Sequence, residues 1–226
     1  MRDLLRSLHL SLDLLLGRRF LLFIVLDAVV ILLSAMSMLL ESDAAAGDLY
    51  SYVFLTPSVL LGLPALAGMV DLERRAGCLD LALAAPSAEA YFVRRAAAVC
   101  IVAAIQGELI MGIAWITSGQ SFPLVETVLQ ILAASAFLGA VSLFWAVRLR
   151  TAGGVWLASA VTLAVMSEWF FFNPVPERLH VAFGKFLPGA EASLPWLRSL
   201  SVLAVASLLF FLYARRRLRR PELMIS

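Results

Sequence analysis

Asp71, Glu73, Arg74, Arg75, Asp80, Glu89, Arg94 and Arg95 put eight charged side chains into twenty-five residues of a 226-residue chain that is 62% hydrophobic. Three further acids stand inside or at the end of long apolar runs: Asp27, Glu108 with Gln106 beside it, and Glu168. A carboxylate at the centre of a membrane helix costs about 2.5–3.5 kcal/mol on insertion scales, so such a residue needs a reason. Asp27, Gln106 and Glu108 suit the polar lining of a translocation path. They suit equally a helix-to-helix lock, in which a protonated acid bonds to a neighbouring helix. Glu168, near the end of its run, reads as interfacial.

Other chemistry has no residues to carry it. There is no GxxxxGK[ST] phosphate loop: the single lysine, Lys185, is followed by Phe186. HExxH, GxSxG and His-rich metal tracts are missing, and His9 and His180 are isolated. Cys78 and Cys100 form no CxxC pair, and both fall on or near the side where thiols stay reduced. The expectation is a chain that is not itself an enzyme, with no cofactor, catalytic residue or metal of its own. A net charge of +2, with basic residues scattered between apolar runs, also speaks against a nucleic-acid partner.

The elements that must position these groups are membrane helices. A mean hydropathy of +0.93 with only 15% charged residues leaves too little polar surface for a soluble core. A span takes about 20 apolar residues, and six segments qualify: 20–40, 52–70, 96–117, 127–147, 152–172 and 196–214. Period-two alternation is missing, so the fold class is all-α, one polytopic membrane domain over residues 1–226. Fifteen of the eighteen basic residues fall on one side of this map, with only Arg178, Lys185 and Arg198 on the other. Both termini are therefore expected in the cytoplasm. Trp115, Trp145, Trp156, Trp169 and Trp196 sit near predicted span ends, as a headgroup-level belt would place them.

Three pieces lie outside the spans. Residues 1–17 carry leucines on one stripe and read as an interfacial helix. Arg18-Arg19 before an apolar run imitates a twin-arginine signal, but that run of 21 residues exceeds the 7–15 or so of a signal peptide, so it reads as a retained span. Residues 173–195, rich in proline, form an outside segment, expected to be partly helical. In the second span, Pro57 and Pro64 suit a kinked helix. The third piece is the charged stretch 71–95. Leu72, Ala76, Leu79 and Leu83 recur at helical spacing, Gly77 loosens that helix and Pro86 ends it. Ser87 then offers a cap, Glu89 suits the first turn of a new helix, and that helix climbs through Arg94 and Arg95 into the third span.

The stretch ERRAGCLDLALAAPSAEAYFVRR resembles the loop between the second and third spans in the type-2 family of ABC-transporter permeases. Glu73, Arg74, Gly77, Leu79, Asp80, Leu83 and Pro86 fall on that pattern, while Cys78 replaces the usual small hydroxyl residue and 91–95 lacks the commoner lysine. The family's interfacial helix, six spans and partly helical outside segment extend the likeness over nearly the whole chain. The resemblance implies a transport subunit without a motor of its own. It would be paired with a second permease copy or a relative, and with two copies of a cytoplasmic ABC ATPase that supplies ATP and Mg. The 71–95 segment would act as the coupling helix, with Leu79 and Leu83 in an ATPase cleft and Glu73, Arg74 and Asp80 at its rim. Family substrates include lipids, glycans, peptides and drugs. The competing readings are a haem-handling permease of cytochrome c maturation, against which the proline-free run 96–117 counts, an intramembrane enzyme, and a non-transporting subunit of a membrane complex.

Overall fold

The computed structural model describes residues 25, 28–29, 62–79, 88–117, 124–166 and 193–220. These form an all-helical bundle of five helices: α1 Leu63–Arg75, α2 Ala88–Thr117, α3 Leu124–Ala146, α4 Ala152–Met166 and α5 Ser193–Leu218. Three stretches, one each in α2, α3 and α5, are long and apolar enough to cross a membrane: Glu89–Leu109, Val125–Ala146 and Trp196–Leu218. The interfacial helix 1–17, nearly all of the first span and of the outside segment, and the sites Asp27, Asp80, Leu83, Pro86 and Glu168 lie outside the described residues.

Helix α3 is the hub. It packs against each of the other four helices, and 67% of its span is buried, against 22% for that of α5. Ile131, Ala134, Phe137, Leu138 and Val141 fill the centre, meeting Leu63 and Leu66 of α1, Val155 of α4 and Leu203 of α5. Membrane helices gain nothing from hydrophobicity against one another, so close approach and interhelical hydrogen bonds hold them together. Gly139 of α3 is such an approach: a Cβ there would stand 2.7 Å from the Cys100 sulfur of α2.

The helix ends follow local chemistry. Pro64 and Pro195 fall in the first turns of α1 and α5, where a missing N–H leaves no ladder bond unmade. The expected kink involves Pro57 and the residues before Gly62, which lie outside the described residues. Thr151 caps α4 by accepting the Gly154 N–H at 3.2 Å. Gly77 corrects the sequence reading most directly, because it stops a helix where a loosened one was expected. At φ +67° it lets its own N–H reach the Arg74 carbonyl and the Cys78 N–H reach that of Glu73, both at 3.1 Å. These two bonds close a Schellman motif, which satisfies the last carbonyls of α1 and turns the chain.

One end of the bundle gathers the C-terminal ends of α1, α3 and α5 with the N-terminal ends of α2 and α4. Arg217 of α5 donates to the Val147 carbonyl after α3, and Glu89 of α2 pairs with Arg215 and, at 2.9 Å, with Arg219 of α5. This is the basic end.

Candidate functional site

Spacing on two antiparallel helices builds the densest polar site. Met69 and Glu73 are four apart on α1, and Tyr91 and Arg95 are four apart on α2, so each pair shares a face. The faces meet. Glu73 Oε1 accepts from the Tyr91 hydroxyl at 2.6 Å and from Arg95 Nη1 at 2.6 Å. Its Oε2 accepts from the Cys78 thiol at 2.8 Å. Arg95, only 1% exposed, also donates to the Met69 carbonyl at 3.2 Å and stacks 4.4 Å from the Tyr91 ring centroid.

Electrostatics make this cluster a lock. Burial pushes the Glu73 carboxyl upward, but hydrogen bonds from Cys78 and Tyr91 and the charge and hydrogen bond of Arg95 outweigh it and hold it below the ordinary carboxylate value. The same hydrogen bond to Glu73 raises the Cys78 thiol. A thiol kept protonated is a poor nucleophile and a poor metal ligand. Among the described residues no cluster of three or more His, Cys, Asp or Glu side chains is placed to hold a metal. What the cluster does is join the end of α1 to the start of α2.

Around it, the basic end is laced to the turn between α3 and α4. Arg74 Nη1 donates to the carbonyls of Leu149 and Arg150. Arg148 lies over the rings of Phe144, Trp145 and Tyr213, 5.4–5.9 Å from their centroids. Asp71 pairs with Arg75 at 2.7 Å one turn along α1, on a side chain largely in solvent, where such a pair is worth little.

The sequence-derived candidates separate here. Glu73, Arg74 and Gly77 converge, but on contacts inside the chain, where rim charges facing a partner were expected. Leu79 is 8% exposed and belongs to the core. Leu72, at 39% exposed, is the large apolar side chain among the described residues of this segment that does face outward. Gln106 and Glu108 are both half-buried on α2, and two positions apart they point to different sides of the helix. Glu108 Oε1 is buried with no hydrogen-bond partner among the described residues. Sequence reading missed Tyr91, Cys78 and Arg95 as partners of Glu73. The i,i+4 spacing of Tyr91 and Arg95 was the available signal.

Two of the tryptophans expected in the headgroup belt also tie helices together. Trp196 Nε1 donates to Gln130 Oε1 at 2.9 Å, joining α5 to α3. Trp145 Nε1 donates to Thr162 Oγ1 at 2.8 Å, joining α3 to α4. Trp156 is exposed on α4, as a belt residue would be.

A second feature is a groove of about 460 Å³ between α2, α3 and α5. Ala97, Cys100 and Ala104 of α2, Ala136 and Gly139 of α3 and Phe211 of α5 are among its lining residues. Its polar groups are few: Ser207 donates to the Leu203 carbonyl at 2.7 Å, and the buried Ser135 hydroxyl has no partner among the described residues.

No protein-family model, curated protein or solved structure matches the chain.

Proposed function

We propose that this chain is the permease subunit of an ABC exporter in a bacterial inner membrane, with both termini cytoplasmic. It would move a lipid, glycan, peptide or drug-like substrate on ATP hydrolysed by a partner subunit. The observation that carries the reading is the Glu73–Tyr91–Arg95 lock. A coupling segment must pass a push from a soluble motor into the spans on either side of it, and a loop hinged freely at its ends would absorb that push. Here Arg95 joins the carboxylate of Glu73 and the carbonyl of Met69 across α1 and α2, so a force on the segment moves both helices together. Arg74 extends the tie to the α3–α4 turn. In this reading Glu73 and Leu79 stiffen the hairpin, and the surface offered to the ATPase is Leu72 and Arg75, with Leu83 the expected apolar contact beyond them.

The test uses the chain purified from its native membrane. It should bring with it a cytoplasmic ATPase carrying a Walker motif, and vesicles holding both should show ATP-dependent transport. Leu72→Asp with Leu83→Asp should lose the ATPase and the transport, while the melting temperature stays unchanged. Retention of the ATPase and of transport by the double variant would remove the coupling role. A wild-type chain that binds no ATPase, even after cross-linking in the membrane, would remove the exporter reading altogether.

A further inference from the structure

We infer that the groove between α2, α3 and α5 holds one acyl chain of a phospholipid whose anionic phosphate rests on Arg94 at the basic end. The proposal does not depend on the transport reading. Helices α2 and α5 both pack on α3 but touch each other little. Glu89, bound to Arg215 and Arg219, ties them at the basic end. Beyond that tie they diverge, and α3 floors the gap with Ala136, Gly139 and Ala140. Side chains this small leave depth that larger ones would fill.

Three observations select the occupant. The groove is nearly all apolar, so it offers no set of partners for a sugar, nucleotide or peptide backbone, each of which would pay for desolvated polar groups. It also opens sideways within segments apolar enough to span a membrane, past the exposed Ile101, Leu132 and Leu208. Its length is that of one leaflet. From Arg94 to Ala104 is ten helical residues, about 15 Å, half of the ~30 Å hydrocarbon core, whereas a helix from a second copy would need the full depth.

The charge at the mouth completes the match. Arg94 is exposed and lies three residues before Ala97 and seven before Ile101, on the same side of α2 as the groove. It makes no ion pair or hydrogen bond among the described residues, while Glu89 is already taken by two arginines. Exposed Arg216 and Arg220 add positive charge at the same end of α5. A guanidinium at headgroup level with an apolar channel leading away from it suits a phosphate followed by its acyl chain.

Native mass spectrometry of the full chain released from nanodiscs of mixed phosphatidylglycerol and phosphatidylcholine tests this. One phosphatidylglycerol per chain should survive delipidation. Arg94→Gln should reduce its preference over phosphatidylcholine by about tenfold, the scale of a lost hydrogen bond to a charged group. Ala97→Phe with Ala136→Phe should displace the lipid at an unchanged melting temperature. Should that variant not fold, the natural thiol of Cys100 serves instead. In a Cys78→Ser background, phosphatidylglycerol should slow its reaction with a lipid-soluble maleimide. An unchanged preference for phosphatidylglycerol in Arg94→Gln, or no protection of Cys100, would overturn the proposal. So would cross-linking of Cys100 to a second copy or to residues 20–40 of its own chain, since protein would then fill the groove.

Discussion

Glu73 and Glu108 are two carboxylates drawn out of water at different depths of the same bundle, and they are treated in opposite ways. Glu73 receives a guanidinium, a phenol and a thiol. Glu108 keeps a buried oxygen that no described residue meets. A buried ion pair holds elements in one arrangement even where one donor, here Arg95 Nε, meets no described residue, and breaking one side of it is expensive because the other charge stays behind. A carboxyl whose buried oxygen meets no described residue ties none of the described helices together through that atom. The basic end of the bundle is therefore where rigidity resides, and the middle of α2 is where rigidity is not spent on this acid.

The largest expected effect breaks the satisfied side. Arg95→Met should lower stability by about 3–5 kcal/mol, as stranding a buried charge does. Glu73→Gln on top of it should recover a large part of that loss. Thermal melting in detergent reads both, and a single variant as stable as wild type would mean that the pair carries no load.

Next is the close approach that the lock brings into register. Gly139→Val should cost about 1–3 kcal/mol by overpacking α3 against α2. Cys100→Ala should relieve part of it, because the Cys100 sulfur is the atom in the way. Independent, additive losses in the double variant would show that the two residues do not share this contact.

Acidification probes the same carboxylate more gently. Since the Glu73 carboxyl is held below its ordinary value, its contribution to stability is present in full above the unfolded-state value. That contribution fades as pH falls through the lower folded value. Melting temperatures from neutral to acidic pH should drop more steeply for wild type than for Glu73→Gln. Parallel curves would put the acid sensitivity elsewhere.

Smaller still is the link from α5 to α3. Trp196→Phe removes the N–H donated to Gln130 and should cost about 0.6 kcal/mol, the average for interhelical hydrogen bonds in membranes. At the bottom of the scale, Glu108→Gln should change stability by less than about 0.5 kcal/mol. If it also left transport unchanged, Glu108 would have no place in a path. A large loss of stability would reveal a partner for it, and the contrast with Glu73 would disappear.

Much of the architecture was legible in the amino acids. The apolar runs 96–117, 127–147 and 196–214 reappear in α2, α3 and α5, because a 1.5 Å rise and the hydrocarbon thickness leave little choice of length, while the described part of 152–172 is the shorter apolar helix α4. Glu89 at a helix start and the passage of that helix through Arg94 and Arg95 were also readable, since capping and dipole effects act within one turn. Gly77 was readable only as a break. Whether a glycine loosens a helix or closes it depends on φ, which the residue type leaves open. That Trp145 and Trp196 also reach Thr162 and Gln130 was not readable, because the same amphipathic ring can give its N–H to a headgroup or to a neighbouring helix.

What the sequence determined by itself was therefore an all-helical chain with long apolar segments and its basic residues gathered toward one end, because hydropathy, span length and helix termination are local properties. Only the tertiary structure decided that Glu73 faces Arg95 and Tyr91, that Arg74 reaches the α3–α4 turn, and that small residues on α2 and α3 leave a groove beside α5. Those outcomes depend on which faces of separate helices meet. The partner of a charge is chosen by that packing and not by its neighbours along the chain.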